Sequence, residues 1–277
     1  MDKRVIKKVQ KLELSILDEI DRICEKHNIS YFLIAGSLIG AIRHKGFIPW
    51  DDDLDIAMVR ADYDKFIEIC SKELNEKYII DSSKTSKKYH KIAAKIRIKN
   101  SEYVEKELEN YDGNQGIWVD ILPLDYSNKN KSIKLSFQNT IKKVFCSGLV
   151  VKCKVKNNMN IFNKIIAKII SFLPYSFLHK IIDKVVKMQN RGNKKYVVNF
   201  ASKYGIKKQT FEYDIYFPIK KELFEKKEYP IPNKYDEYLT QIYGNYMKIP
   251  PIEKREIHNP IRIKFPDGEE IDFNEKI

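Results

Sequence analysis

The chain has 277 residues, of which 43% are hydrophobic and 12% aromatic. This apolar content suffices for a packed core and excludes wholesale disorder, while ten glycines and ten prolines exclude a collagen-like or low-complexity chain. A formal net charge of +13 predicts that some partner or substrate is anionic.

The cysteines and the N-terminus bear on the compartment in which the protein works. Cys24, Cys70, Cys146 and Cys153 form no CxxC pair, a pattern typical of thiols in a reduced protein. The opening residues, MDKRVIKKVQ, lack the apolar core of a signal peptide, and no run of about 18 residues is free of charge. We therefore predict a cytoplasmic protein without a spanning helix.

The apolar patterns predict a mixture of helices and strands over the first 125 residues. Helices are predicted over 5–26 and 61–74, a short helical segment over 38–43, and strands over 31–35, 54–59, 78–80, 89–98 and 117–122. This succession predicts an α+β fold whose core is a mixed sheet flanked by helices.

Positive charge is concentrated between residues 129 and 195. This segment holds sixteen Lys and Arg residues but a single acid, Asp183. It also contains two amphipathic stretches, IFNKIIAKIISFL and SFLHKIIDKVVKM, which predict two helices separated at Pro174. Two interpretations remain open: a basic helical subdomain packed on the core, or a helical pair that lies on an anionic membrane or grips an anionic acceptor. Nucleic acid is not expected as a partner, because no nucleic-acid motif is present.

The segment DDDLDIAMV places four carboxylates at the start of an apolar strand. Asp53 and Asp55 share one face of this strand, because residues i and i+2 point the same way. Buried like charges need a compensating cation, and Mg²⁺ prefers a few carboxylates together with substrate phosphates. A third carboxylate, Asp120, stands alone in the apolar segment WVDILPL. We therefore predict that Asp53, Asp55 and Asp120 bind Mg²⁺, with a solvated loop or a structural ion as the alternative.

A glycine-serine turn precedes these acids along the chain. Gly36 and Ser37 directly follow an apolar strand, and the backbone N–H groups of such a turn can hold a phosphate together with the hydroxyl. Arg43, His44 and Lys45 lie between this turn and the acids, where they supply cations for a diphosphate.

Together these motifs resemble a known family. An apolar strand followed by Gly-Ser, an Asp-x-Asp on the next strand and a single Asp on a later strand is similar to the nucleotidyltransferase superfamily of the polymerase-beta type. The longer string YFLIAGSLIGAIRHKGFIPWDDDLDIAM, with WVDILPLD and the tail YGNYMKIPP, resembles the LicD family of phosphocholine transferases, which is related to the fukutin-type transferases. The resemblance covers most of 18–125 and returns over 235–258.

The resemblance implies a nucleotidyltransferase-like catalytic core, which we assign to 1–128. We predict that a basic amphipathic helical subdomain, 129–200, and a C-terminal segment that completes the active site, 201–277, follow it. The implied reaction moves phosphocholine, or a similar substituted phosphate or phosphonate, from a CDP-activated donor to a hydroxyl of a cell-surface glycan and releases CMP. The acceptor would be a teichoic acid, a lipopolysaccharide or a capsular glycan. A lipid-linked acceptor would bring the protein to the inner face of the cytoplasmic membrane.

The resemblance also implies roles for the acids. Asp53, Asp55 and Asp120 would bind one or two Mg²⁺ ions, for which Mn²⁺ would substitute, and Asp51 would lie beside the metal. Such metals neutralise the diphosphate, and a carboxylate accepts the proton of the attacking hydroxyl. Asp120 is the first choice for that base and Asp51 the second.

Several aromatic and basic residues are candidates for contacts with donor or acceptor. Trp50 would stack on cytosine or on the choline cation, with a core aromatic as the equal alternative. Tyr111 and Trp118 are weaker candidates for an aromatic cage around the same choline cation.

Two further pairs of residues are candidates for substrate contacts. Lys95 and Arg97 alternate along one strand and predict a phosphate contact, against an exposed sheet face as the alternative. Arg255 and His258 lie in the matched tail, and one of them is expected to contact donor or acceptor.

Two other functions remain open. The first is a nucleotidyltransferase that acts on a small molecule or an RNA end. The second is a non-catalytic protein that binds an anionic glycan or a membrane surface; the intact set of acids argues against it.

Overall fold

A computed structural model describes residues 1–128, 132–192, 194–255 and 257–273. Within these ranges there are eight α-helices and twelve strands. The helices are α1 (Lys3–His27), α2 (Ala35–Ile39), α3 (Arg60–Glu73), α4 (Ile133–Lys152), α5 (Ile161–Ser171), α6 (Tyr175–Val186), α7 (Gly205–Lys208) and α8 (Tyr235–Tyr243). The strands are β1 (Phe32–Leu33), β2 (Asp55–Val59), β3 (Tyr78–Asp81), β4 (Ala94–Ile98), β5 (Glu102–Glu105), β6 (Trp118–Ser127), β7 (Tyr196–Asn199), β8 (Thr210–Glu212), β9 (Lys220–Phe224), β10 (Lys227–Ile231), β11 (Pro260–Lys264) and β12 (Glu270–Asp272).

The main sheet has seven strands and is built around β6. Its order is β1-β2-β6-β4-β3, with β7 also paired to β6 and β8 paired to β7. Strands β2 and β6 run parallel, whereas the other neighbours in this sheet are antiparallel. The predicted α+β class with a mixed sheet is therefore confirmed. Because strand β6 is ten residues long, β4 pairs with its first residues and β7 with its last residues along the same edge.

Helix α1 shows why the sequence pattern predicts the first element well. Val9, Ile16, Ile20 and Ile23 recur at helical spacing and are fully buried. The Asp2 side chain accepts a hydrogen bond from the backbone N–H of Arg4 and caps the N-terminus. Helix α1 contacts β4 and β6, and α3 contacts β2 and β6, so both predicted helices cover the sheet.

Several predicted elements differ in their bounds, and the strand predicted over 117–122 extends to Ser127 as β6. The strand predicted over 31–35 is cut to two residues because Ala35 adopts a left-handed φ of 50° and α2 begins there. A π-helical turn, Gly40–His44, continues α2. The strand predicted over 89–98 begins only at Ala94, since Tyr89 donates its hydroxyl to the Ala93 carbonyl in the preceding loop.

The basic segment contains one more helix than the sequence predicts. The two predicted helices are confirmed as α5 and α6, and α4 packs against both. Gly148 of α4 lets α5 approach closely, because a Cβ added at Gly148 would lie 2.3 Å from Cγ2 of Ile170. Strand β7 follows these helices and joins the main sheet. Residues 129–131, where a predicted domain boundary falls, lie outside the described residues, and the division into three parts stays a prediction.

No single helix in the part of the chain that the structure describes is both long enough and apolar enough to cross a membrane. Helices α5 and α6 together have sufficient length and apolar content, but they bend by 116° at the break between them.

The C-terminal residues return to the first part of the chain. Strand β11 pairs with β5 and with β12 in a three-stranded antiparallel sheet, while β9 and β10 form a separate hairpin. Ile263 and Phe265 pack with Tyr103 and Trp118 in one buried cluster. The tail is thus fixed beside the start of β6.

We expect Gly148→Val to destabilise the fold by about 1–3 kcal/mol, because the added methyl groups would overlap Ile170 and force α5 away from α4. Urea unfolding followed by circular dichroism measures the loss. The paired variant Gly148→Val/Ile170→Ala removes the overlapping side chain and should recover part of the stability. An unchanged midpoint for Gly148→Val alone would contradict the close packing.

Candidate active site

The structure brings the predicted acids together at one end of β2 and β6. Asp55 opens β2, and the parallel register sets its Cα opposite that of Asp120 in β6. Asp53 is coupled electrostatically to both Asp55 and Asp120. Asp51 lies over the glycine turn, since a Cβ added at Gly36 would be 2.7 Å from its Oδ2. Four carboxylates therefore share this site.

Burial and mutual repulsion act on three of these acids. Burial comes first and repulsion second in raising the pKa of Asp51 and of Asp55 well above the ordinary value. The side chains of Asp51 and Asp53 share a hydrogen bond, which requires a proton on one of them. The acids of the site therefore carry more negative charge than the neighbouring cations neutralise. A bound cation would reduce this excess.

Asp120 is the acid with a cation of its own. Lys95 Nζ lies 3.0 Å from its Oδ2, and Trp118 Nε1 donates to the same oxygen at 2.7 Å. Burial favours the neutral acid, but the charges of Lys95 and Lys91 and the hydrogen bonds from Lys95 and Trp118 together outweigh it and lower the pKa of Asp120 to about 2. Burial lowers the pKa of Lys95 to about 7, and its ammonium sits 3.6 Å above the Trp118 ring.

Asp52 faces a different set of partners and was not singled out from the sequence. It is buried, and it accepts hydrogen bonds from the Tyr103 hydroxyl and from the backbone N–H of His258 at 3.2 Å. His258 Nδ1 lies 3.1 Å from Asp52, and Nε2 lies 3.7 Å from Oδ2 of Asp53. Burial disfavours the charged ring, but these two carboxylates outweigh it and raise the pKa of His258 to about 9. Asp52 therefore joins the C-terminal segment to the acidic site through a charged histidine.

Helix α1 contributes a residue that the sequence analysis missed. Glu13 is 1% exposed, and its Oε2 has no hydrogen-bond partner among the described residues. Burial, followed by repulsion from Asp53, Asp52 and Asp51, raises its pKa well above the ordinary value. The available signal was its position, because an acid at residue 13 falls on the apolar stripe of α1.

The glycine-serine turn supports the acids directly. The backbone N–H of Asp55 donates to Ser37 Oγ at 2.8 Å, so the hydroxyl fixes the start of β2. Gln10 of α1 holds the acidic loop from the other side, donating to the carbonyls of Asp51 at 2.8 Å and Ile48 at 3.2 Å.

Two of the three basic residues after the turn, Arg43 and His44, form a basic wall beside Asp51. Arg43 donates from Nη1 to the Tyr246 carbonyl at 2.5 Å and from Nε to His44 Nε2 at 2.9 Å. Burial lowers the pKa of Arg43 despite the charge of Asp51, and it lowers the pKa of His44. Lys45 turns elsewhere and forms an ion pair with Glu222 at 3.1 Å.

Trp50 belongs to the same wall. The Arg255 guanidinium stacks 3.9 Å from the centre of its ring, and His44 meets the ring edge-on. Arg255 Nε also donates to the Pro250 carbonyl at 3.3 Å. One face of Trp50 is therefore occupied by a protein cation, and Arg43, His44, Trp50 and Arg255 are contiguous.

Two candidates lie in other surroundings. Arg97 is buried, donates from Nε to Asp81 at 2.9 Å and from Nη1 to the Gly116 carbonyl at 2.7 Å. Tyr111 packs with Leu108 and Cys153 in a separate cluster. Phosphate contact by Arg97 and ligand contact by Tyr111 stay predictions, and neither side chain stands with the acids.

The carboxylates of the site match the chemical needs of Mg²⁺ better than its geometric ones. Within the described ranges, no three His, Cys, Asp or Glu side chains are arranged as ligands around one point. The chemistry of the site nevertheless fits, because Mg²⁺ takes carboxylate oxygens and the excess charge of Asp51, Asp53 and Asp55 calls for a cation. Metal binding by these acids stays a prediction.

Comparison with known proteins identifies the family. A family model described as "LicD/FKTN/FKRP, nucleotidyltransferase domain" matches residues 28–152. The chain is 32% identical over 271 residues to the lipopolysaccharide cholinephosphotransferase LicD of Haemophilus influenzae, covering 94% of this chain and 97% of that protein. The chain belongs to the LicD family. The resemblance inferred from the sequence motifs is confirmed.

A second relative matches over a shorter part of the chain. An uncharacterized protein of Rickettsia prowazekii is 27% identical over 112 residues, which are 34% of this chain and 42% of that protein. The family match over 28–152 includes all four acids of the site, whereas His258 is outside it.

We expect Asp52→Asn and Asp55→Asn to change stability in opposite directions in metal-free protein. Burial raises the pKa of Asp52 but the bonds from His258 and Tyr103 lower it overall, so its ionised form stabilises the fold above the unfolded pKa. Its loss should cost about 1–3 kcal/mol between pH 5 and 8. The pKa of Asp55 is raised, so ionisation destabilises the fold as pH rises, and Asp55→Asn should gain stability toward pH 8.

Urea unfolding in EDTA at pH 5 and pH 8 provides this comparison. Asp183→Asn is a control, because Asp183 lies half-exposed on α6. A loss of stability in Asp55→Asn that deepens toward pH 8 would contradict the repulsion described for the acids.

Proposed function

We propose that this LicD-family chain transfers phosphocholine, or a similar substituted phosphate head group, from a CDP-activated donor to a hydroxyl of a cell-surface glycan, with release of CMP. The observation that carries the proposal is the pairing of Asp55 with Asp120 in a chain that aligns over 94% of its length with a cholinephosphotransferase. That relative is named for lipopolysaccharide, which makes a lipopolysaccharide-type glycan the first acceptor to test.

We infer that the main sheet is a nucleotidyltransferase-like core. The description of the matching family model supports this assignment, as does the placement of Asp53 and Asp55 at the start of β2 beside Asp120 on β6. Asp55 at the start of β2, Asp53 just before it and Asp120 on the parallel neighbour β6 lie at one end of these two strands.

Metal dependence is part of the proposal. Asp53, Asp55 and Asp120 would hold one or two Mg²⁺ ions, or Mn²⁺ in their place, with Asp51 beside them. When bound, the metal would supply the positive charge that neutralises the donor's diphosphate. The basic wall of Arg43 and Arg255 lies next to Asp51 and would receive the negative charge that develops on the departing CMP.

The geometry favours Asp51 over Asp120 as the acceptor of the hydroxyl proton, reversing the order expected from the sequence. Lys95 and Trp118 both bind Oδ2 of Asp120, which leaves only its Oδ1 for other partners. Asp51 Oδ2 instead lies beside Gly36 of the glycine-serine turn. In this arrangement Lys95 and Trp118 orient Asp120, and Asp51 takes the proton.

We also propose that the protein works in the cytoplasm at the inner face of the membrane. All four cysteines are free thiols, which supports a reducing compartment. A lipid-linked glycan would place the acceptor at that face.

A donor screen tests the reaction. Purified protein is incubated with a choline-free lipopolysaccharide and either CDP-choline, CDP-ethanolamine, a CDP-polyol or each NTP, in Mg²⁺ or EDTA. We expect CMP from a CDP-linked donor, only with the metal. Release of pyrophosphate from an NTP, with no CMP from any CDP-linked donor, would contradict the proposal and support a nucleotidyltransferase.

The same assay tests the acids. We expect Asp55→Asn to lower turnover about 100-fold or more. A bound metal contributes several kcal/mol of charge stabilisation in the transition state, and removing one of its ligands loses part of that energy. Asp183→Asn removes a carboxylate of α6 and should leave turnover unchanged. Turnover of Asp55→Asn within twofold of the wild type would overturn the assignment.

A further inference from the structure

Helix α5 exposes the side that an amphipathic helix usually buries. Five large apolar side chains on α5 and just after it are between 56% and 80% exposed. At 100° per residue they fall within an arc of about 100°, which makes them one continuous stripe. The stripe, called here the apolar face of α5, consists of Ile161, Phe162, Ile165, Ile169 and Phe172.

The opposite side of α5 is fixed to the protein. Ala167 and Ser171 are buried, and Ile170 fits against Gly148 of α4. Lys152 of α4 donates from Nζ to the Ser171 carbonyl at 2.7 Å. Because these contacts set the rotation of the helix, the apolar face points outward as a consequence of packing.

Positive charge borders the apolar face. Lys164 and Lys168 follow one side of the stripe, and the Lys168 ammonium lies 5.7 Å from the Phe172 ring. These two lysines line an open groove of about 850 Å³ together with Lys154, Ile165 and Ile169. The sequence between Asp125 and Asp183 contains no acid at all. An apolar stripe edged by lysines is complementary to a surface that is apolar within and anionic at its rim.

Two other occupants fit this face less well. Helix α5 has 11 residues and is about 16 Å long, roughly half of the thickness of a bilayer core, so the face does not suit a spanning segment. A second copy of the chain would bring the same lysines against each other across the contact. Lipid phosphates attract these lysines, and acyl chains accept the apolar stripe.

We propose that the apolar face of α5 inserts into the interface of an anionic bilayer, with α5 parallel to the surface and Lys164 and Lys168 against the lipid phosphates. Membrane binding follows from this surface alone. The benefit to catalysis, which is to hold the enzyme on the bilayer that carries its glycan acceptor, rests on the proposed function.

Vesicle flotation with the full chain tests the proposal. The vesicles are phosphatidylcholine alone or phosphatidylcholine with 30% phosphatidylglycerol, each at low and high salt. We expect the wild type to bind the anionic vesicles, and less so in high salt. Phe162→Ser/Ile165→Ser/Ile169→Ser should weaken this binding about 10-fold or more. Lys164→Gln/Lys168→Gln should weaken it by a similar factor and reduce its dependence on salt.

Matched controls remove the same residue types elsewhere. Leu223→Ser/Ile252→Ser deletes two exposed apolar side chains, and Lys7→Gln/Lys11→Gln deletes two exposed lysines of α1. Both should bind vesicles as the wild type does. Absence of wild-type binding to anionic vesicles at low salt, or equal binding by the α5 variants, would overturn the proposal.

Light scattering without lipid and an activity assay complete the test. If the wild type is a dimer and the triple α5 variant is a monomer, the proposal is overturned in favour of a second copy on this face. The α5 variants should release CMP from CDP-choline with a water-soluble glycan acceptor at the wild-type rate. If the wild type binds vesicles but releases no CMP, the proposed function is contradicted, whereas the proposed membrane binding by the apolar face of α5 stands.

Discussion

The parallel pairing of β2 with β6 is the constraint on which the site depends. Its register puts the Cα atoms of Asp55 and Asp120 opposite each other, at half-buried positions where like charges repel more strongly than in water. The fold tolerates them because Lys95 neutralises Asp120 and because Asp51 shares a hydrogen bond with Asp53. A sheet edge that concentrates acids in this way is suited to hold a cation and, through it, a diphosphate.

Alternate acids of the DDDLD segment have different partners, as the two-residue period of an extended chain requires. Asp51, Asp53 and Asp55 face the shared site, whereas Asp52 turns to Tyr103 and His258. In the proposed function the odd positions would therefore hold the cation, while the even position ties down the C-terminal segment. Pairing of β11 with β5 holds that segment in place, so the first and last parts of the chain meet at the acids.

The sequence predicts what local patterns encode, namely the two long helices of the core, β2, β6 and the α+β class. It also predicts which acids meet, because strand alternation and a lone Asp120 in an apolar strand are local signals. It misses α4, whose polar and apolar residues show weak helical segregation. It also misses the pairing of Arg97 with Asp81, because this depends on a contact between distant segments, and it misses Glu13 although an acid on the apolar stripe of α1 is a local signal. Sequence patterns likewise predict that α5 is amphipathic but not which side faces outward.

Crystals grown with a slowly reacting CDP-choline analogue and soaked in Mn²⁺ would locate the cation by anomalous scattering. We expect a peak about 2.0–2.3 Å from carboxylate oxygens of Asp55 and Asp120, bridging to the diphosphate. Diphosphate density elsewhere on the protein, with no anomalous peak between β2 and β6, would contradict the role given to the paired acids.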